Sequence, residues 1–380
     1  MMVKANRSPT VRVATVQASP VFMDRDATVE ITCEFIAQAG NEGAQLVAFP
    51  EVFIAGYPYW SRFLLPLEAQ HFTLEMLHES VEVPSEATER LCRAAHKAGT
   101  YVVVGINESV PTARGTLFNT NLTISPEGKI VNHHRKLVPT YAEKMVWTYG
   151  DGYGLRVLNT EIGRIGTLIC GENANPLARF LMIAEGEQIH VANYPSLPSG
   201  NKGGYDLSND IRIRSSAHAF EGKIFTVASC STLGPSIVDY FKDYPDVQKL
   251  LQSQGTGHTA IYGPWGVPVA GPLEPGVEDV LYADINLDDA LLPKLRHDVA
   301  WSYNRFDVMR VLINRSGHRA IESVDSSFRD GDASRFDTQN LLAALQNNLQ
   351  DGHRDGALAV LEDLKAVIEG SAPPASQQRN

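Results

Sequence analysis

Arg164-Ile-Gly-Thr-Leu-Ile-Cys-Gly-Glu-Asn-Ala-Asn-Pro-Leu177 is the stretch around which the chain is organised. Ile165, Leu168 and Ile169 read as a short buried strand that ends at Cys170. Pro176 is suited to open a helix, because its missing N–H would have no intrahelical partner there anyway. A cysteine therefore stands where a strand hands over to a helix. Such a corner exposes a side chain at a sheet edge, and unpaired N–H groups nearby favour an anion, which a thiolate is. Taken alone, the cysteine has a second reading. Free cysteine is among the most buried residue types, so a chemical role needs partners elsewhere.

Outward from this corner, strands and helices alternate. Residues 11–17 alternate apolar and polar, as a strand does, and a helix is predicted over about Asp26–Ala39 with Cys33 on its packing face. Gln45–Phe49 is a second buried strand; Pro50 stops it and Glu51 follows. Ser85 caps a helix to His96 with Gly99 as its stop, and Cys92 on it reads as packing. Tyr101–Gly105 is a strand, and 116–124 with 129–135 form a hairpin ending in His133-His-Arg-Lys136. Further strands fall near Val157, at 188–193, 224–230, 258–262, 267–270 and 281–285, with helices over about 176–185 and 210–221. Helices alternating with strands, yet with recurrent hairpins, predict a layered α/β fold with mixed sheets. Cys230 reads as a structural strand residue. Near Ser316 the composition turns polar, and the tail holds one amphipathic helix, Ala357–Ile368. The expected organisation is a domain over residues 10–310 and a partly helical tail over 311–380 that packs on the body or on a neighbouring subunit.

Composition narrows the function. The 380 residues are 43% hydrophobic and 20% charged, an ordinary globular balance. A net charge of −11 argues against nucleic acid or an anionic membrane as partner. The apolar runs are of strand length, too short to cross a bilayer, and no signal peptide is visible. Four scattered cysteines make neither a disulfide scaffold nor a zinc site, so a reduced, cytoplasmic protein is expected. No glycine-rich dinucleotide or phosphate loop follows a strand.

Three residues share one property: Glu51, Lys136 and Cys170 each end a core strand. A sheet gathers such ends on one edge, where ligand sites of open α/β sheets lie. A carboxylate can take a thiol proton, an ammonium can hold developing negative charge, and a thiolate can attack an electrophilic carbon. The loop between Leu137 and Gly152 adds a second carboxylate, Glu143. The loop Phe53-Ile-Ala-Gly-Tyr-Pro-Tyr-Trp60 is either packed aromatic structure or a pocket wall.

These residues resemble the nitrilase (carbon–nitrogen hydrolase) superfamily, and its nitrilase branch in particular. The resemblance rests on Phe49-Pro-Glu51, His134-Arg-Lys136 and Ile169-Cys-Gly-Glu172, with the flanks 53–60, 136–143 and 149–152. It implies a four-layer αββα sandwich of two mixed sheets. It also implies a Glu51–Lys136–Cys170 triad with Glu143 as a further active-site carboxylate. Tyr57, Tyr59, Trp60 and Trp147 become candidates for the pocket wall, and the Gly171 N–H a candidate donor to negative charge. No metal or organic cofactor is implied. The implied substrate is a small organic nitrile, hydrolysed to acid and ammonia. Alternatives are an amidase, a cyanide hydratase or dihydratase with the same triad, or a non-catalytic scaffold. Members of the family commonly form dimers and larger spirals, so a homo-oligomer is expected. Gly171 departs from the family habit of a tryptophan after the nucleophile.

Overall fold

The computed structural model describes residues 10–199, 206–253, 255–317 and Leu361. The chain divides into two units, Met1–His318 and Arg319–Asn380. The sheets and the site described here belong to the first; apart from Leu361, the expected tail helix lies outside the described residues.

The strands in chain order are β1 (Thr10–Gln17), β2 (Leu46–Ala48), β3 (Tyr101–Ser109), β4 (Leu117–Ile124), β5 (Ile130–Arg135), β6 (Leu158–Thr160) and β7 (Gly163–Ile169). They continue with β8 (Ile189–Tyr194), β9 (Leu197–Pro198), β10 (Phe225–Cys230), β11 (Gly255–Thr256), β12 (Ala260–Tyr262), β13 (Pro268–Ala270) and β14 (Asp279–Asn286). Two six-stranded sheets result, ordered β14-β1-β2-β3-β4-β5 and β13-β12-β10-β8-β7-β6; β9 and β11 form a small separate ladder. Both large sheets are mixed: β1, β2 and β3 run parallel, as do β7, β8 and β10, while the outer pairs are antiparallel.

The side-chain alternation of a strand sorts the layers. Val11 and Val13 of β1, Leu46 and Ala48 of β2 and Val103 of β3 join Ile165, Ile189, Val191, Phe225 and Val227 in one cluster between the sheets. The intervening residues Ala14, Val16, Val47, Val102 and Val104 pack with Val29, Ile36, Leu91 and Ala95. These last four belong to helices α1 (Arg25–Asn41) and α2 (Glu86–Ala98). On the far side of the second sheet, Leu168 packs on Ala178 and Met182 of α3 (Pro176–Ala184), and Tyr262 and Ala260 on Ala219 of α4 (Leu207–Gly222). This is the αββα order. Helix ends follow local chemistry. Asp24 and Ser85 accept N-terminal N–H bonds, and Gly99 closes α2 at φ +63°.

The layer between the sheets becomes polar toward the carboxyl ends of the parallel strands. Thr15 donates to the Ala228 carbonyl, Ser229 to that of Val16, and Asn121 to Thr167 and Asn193. A buried end of this kind holds only with its hydrogen bonds satisfied.

Two of the buried groups illustrate the response to acid. Burial would raise Glu108, but Arg135, His133 and Thr120 hold its carboxyl down at about 2. Burial pushes His218 down to about 4. His218 is favoured neutral in the fold, so its contribution is whole above about 6.5 and is lost as pH falls from there toward about 4. The Glu108 contribution is whole above about 4.5 and is lost as pH falls toward about 2. The melting temperature should therefore begin to drop below about pH 6.5 and drop more steeply below about 4.5. Glu108→Gln should make the lower limb shallower without abolishing it, because Glu187, also held at about 2, remains. A melting temperature constant between pH 7 and 4 would contradict this.

Candidate active site

Glu51, Lys136, Glu143 and Cys170 come together at the polar edge, all buried. Lys136 Nζ donates to Glu51 Oε1 at 2.6 Å and to Glu143 Oε2 at 2.7 Å. Glu51 Oε1 also accepts from Asn119 Nδ2 at 2.7 Å. Among the described residues, Glu51 Oε2 has no hydrogen-bond partner. Cys170 lies in one buried cluster with Tyr57, Trp147, Ile169 and Tyr194.

Local chain geometry places each group. Gly105 of β3 is needed for the turn that carries Glu51: a Cβ there would sit 2.3 Å from Val52 N and 2.6 Å from Pro50 O. Lys136 continues the β5 ladder, its N–H donating to Asn119 O. Glu143 stands in a short 3-10 turn, Tyr141–Met145, and accepts the Thr140 N–H. Val52, Tyr141 and Cys170, each beside or within the cluster, have φ of +41°, +50° and +45°. Non-glycine residues in this region are strained, and such strain persists where surrounding structure over-determines it. Cys170 opens a second 3-10 turn, Cys170–Ala174, and only after it does Asn175 cap the helix that Pro176 begins. The expected strand-to-helix corner is thus a strand-to-3-10 corner.

One buried acid ties two of these segments together. Glu172 Oε1 accepts the Leu137 N–H at 2.7 Å; its Oε2 accepts the Ile169 N–H at 2.8 Å and faces His134 Nε2 at 2.9 Å. The residue after Lys136 and the residue before Cys170 are thereby held on one carboxylate.

Electrostatics decide the resting charges. Burial works against the Lys136 ammonium, but Glu143 and then Glu51 outweigh it and hold it above the usual lysine range. Burial first, then the like charge of Glu143, lifts Glu51 above the ordinary carboxyl value against the pull of Lys136. Burial, Glu51 and Glu143 push the Cys170 thiol well above its ordinary value, with Lys136 and Arg214 opposing. Two carboxylates and one ammonium already leave a negative balance, so a resting thiolate would be a third buried anion. This differs from the expectation that free N–H groups would hold a thiolate. The arrangement suits a neutral thiol that gives its proton to the lifted carboxyl as it attacks.

The aromatic candidates separate. Tyr57 OH donates to Glu143 Oε1 at 3.0 Å and accepts from Arg62 Nε at 2.9 Å. The Trp147 ring lies 5.9 Å from Lys136 Nζ, and its N–H donates to Asn107. Tyr59 packs on Phe22 and Tyr57. Trp60 stacks on Phe72, bonds Thr73, and faces a cavity of about 280 Å³ with Leu64, Ala69, Met145 and Val146. At Gly171 a Cβ would meet Thr140 Oγ1 at 2.7 Å, so the threonine hydroxyl occupies the space where a side chain would begin. Cys230 is buried, donates to Pro195 O at 3.2 Å, and is raised by burial to about 12, an inert thiol. Asn119 and Arg62 went unnoticed in the sequence, and Glu172 stood in a quoted motif without a role. Only Glu172 carried a signal, by its place two residues after the cysteine.

Two mixed sheets back to back, helices outside, and a buried acid–ammonium–thiol cluster at the sheet edge define the class: an α/β sandwich with a thiol site. The family model described as carbon–nitrogen hydrolase matches residues 12–291. The chain belongs to this family, in its nitrilase branch. It is 37% identical over 318 residues to a protein named Nitrilase 3 from an unknown prokaryotic organism, covering 80% of this chain and 91% of the relative. It is 35% identical to a cyanide hydratase of Stereum hirsutum, covering 87% and 90%. Among solved structures, Saccharomyces cerevisiae Nit3, a member of branch 10 of the nitrilase superfamily, is similar with a TM-score of 0.62 at 18% identity, covering 79% of this chain and 99% of that one.

Proposed function

We propose that this enzyme hydrolyses an organic nitrile to the carboxylic acid and ammonia through covalent intermediates on Cys170. The carrying observation is Lys136 held between Glu51 and Glu143, with the second Glu51 oxygen unpartnered among the described residues, and Cys170 in the apolar cluster that holds Tyr57 and Trp147, which meet Glu143 and Lys136. Glu51 takes the thiol proton while the sulfur–carbon bond forms, and that proton passes to the nitrile nitrogen to give a thioimidate. One water adds to the thioimidate carbon; breakage of the carbon–nitrogen bond releases ammonia and leaves a thioester. A second water releases the acid and returns the proton to sulfur. Lys136 and the Gly171 N–H stabilise the negative charge that builds at each addition. Glu143 orients Lys136, and Tyr57 with Trp147 supports Glu143 and Lys136. The domain we assign to this chemistry is residues 10–310.

Relatives named nitrilase over most of the chain support the nitrile reading. Exposed apolar side chains at Trp301, Tyr303, Val308, Met309 and Leu312 support self-association, which we include in the proposal. Among the described residues no helix is long and apolar enough to cross a membrane. The test is release of ammonia, acid and amide from a panel of aliphatic, aryl and arylacetic nitriles, beside the matching amides and cyanide. Acid and ammonia from organic nitriles are expected. Turnover of cyanide alone, or faster turnover of the amides, would overturn the proposal.

A further inference from the structure

Behind the nucleophile lies a second buried cluster. Asn173 Nδ2 donates to the carbonyls of Leu168 at 3.0 Å and Cys170 at 3.2 Å. Asn173 Oδ1 lies 2.8 Å from His190 Nε2, and His190 Nδ1 lies 2.6 Å from Glu187 Oε1. His218 Nε2 lies 2.8 Å from Glu187 Oε2. All four side chains are buried, and the two imidazole centroids are 4.0 Å apart.

Donor accounting fixes the charge of His190. Two backbone carbonyls can only accept, so the Asn173 amide nitrogen faces them and its oxygen faces His190. That oxygen can only accept, so Nε2 carries a hydrogen. An ionised Glu187 can only accept, so Nδ1 carries one too. We propose that His190 is held as an imidazolium and acts as a positioning residue for the nucleophile, its Nε2–H fixing the Asn173 carboxamide that grips the Cys170 carbonyl. Glu187 faces an imidazole nitrogen with each oxygen, at 2.6 and 2.8 Å, which favours its ionised form. Burial alone would raise it, yet His190 and His218 hold it at about 2. Charge-assisted bonds of this kind are the strong ones, and a buried ion pair needs its remaining donors satisfied.

The strand neighbours in register with His190 are Gly166 and Thr226, neither titratable. A Cβ on Gly166 would lie 2.0 Å from Glu187 Oε1, so the glycine leaves the space the carboxylate fills. His218, from α4, is the neutral partner. Arg179, from α3, acts on His218 and is itself paired with Glu221 at 3.0 Å. Glu187, His190 and His218 offer ligand-type atoms within 4.8 Å of one another. A cation would need the lone pairs of Nδ1 of His190 and Nε2 of His218, which the hydrogens donated to Glu187 occupy. The cluster is a strut, and it holds the turn in which Cys170 keeps φ +45°.

The positioning role rests on the nitrile-hydrolysing reading, whereas the charge state does not. The experiment therefore has two arms. In the full-length wild-type enzyme labelled with 15N-histidine, His190 is identified by its contact with the Asn173 side-chain amide protons. Two ring N–H signals are expected at pH 7; one alone would overturn the assignment. In the second arm, His190→Gln and Asn173→Ala are compared for kcat and KM. Both should lower kcat by about tenfold to a hundredfold, as a small displacement of a reacting group does, with KM within about twofold. Asn173→Ala leaves the Glu187–His190–His218 bonds in place, so it decides the matter if His190→Gln does not fold. Wild-type kcat in a folded variant of either kind would overturn the positioning role.

Discussion

Cys170→Ala is expected to release ammonia from any nitrile the wild type accepts at no more than about one ten-thousandth of the wild-type rate. The size follows from what is removed. Without sulfur no covalent bond forms to the nitrile carbon, and Lys136 with the backbone N–H can stabilise only a slow attack by water. The fold should survive. Alanine removes one buried atom, and the strained φ of +45° is held by the Asn173 bonds to Leu168 and Cys170 carbonyls, which do not involve sulfur. The measurements are ammonia release and the melting temperature of the same preparation. A mass increase on wild type during turnover, absent from Cys170→Ala, would identify the covalent intermediate. Wild-type ammonia release by the variant would rule out the thiol mechanism and leave the scaffold or a different centre.

Glu51→Gln carries the second large effect and separates a base from a mere charge. The amide keeps the volume and still offers an oxygen to Lys136 and Asn119, so the bonds at 2.6 and 2.7 Å have a replacement acceptor. Lys136 also retains Glu143. The proton acceptor is lost, and a general base is worth about 10²–10⁴ in rate, so kcat should fall within that range. The thiol should move the other way. Glu51 is one of the groups holding the Cys170 thiol up, so removing its charge should lower the thiol's ionisation point. Alkylation of Cys170 followed against pH should therefore shift its midpoint downward while turnover collapses. If turnover stayed within a few fold of wild type, Glu51 would not be the base. If the midpoint rose, the electrostatic account of the site would be wrong.

Much of the architecture was legible because its causes are local. The period of two in β1, the short apolar runs of β3 and β7, the Ser85 cap and Gly99 stop of α2, and the proline opening α3 are set by residues within a few positions of one another. The small ladder of β9 and β11, each two residues long, is too short to carry a period. Strand ends were legible as well, and with them Glu51, Lys136 and Cys170 as residues that a sheet would gather. Which atoms meet was not. Asn119 reaches Glu51 across 68 positions, and Tyr57 reaches Glu143 across 86. The four aromatics looked alike in one composition-rich loop and its neighbour. The fold turned Tyr57 and Trp147 to the charged cluster, and Trp60 to a separate cavity.

By itself, then, the sequence determined the layered class, the strand ends and the chemical types that stand on them, since periodicity and turn chemistry act over a few residues. The tertiary structure alone decided the charges. It placed a lysine between two glutamates, left one glutamate oxygen unpartnered among the described residues, and buried a thiol near them. The reason is that a group's protonation depends on burial and on charges a few ångströms away, and those neighbours are supplied by segments that only the packing of two sheets brings side by side.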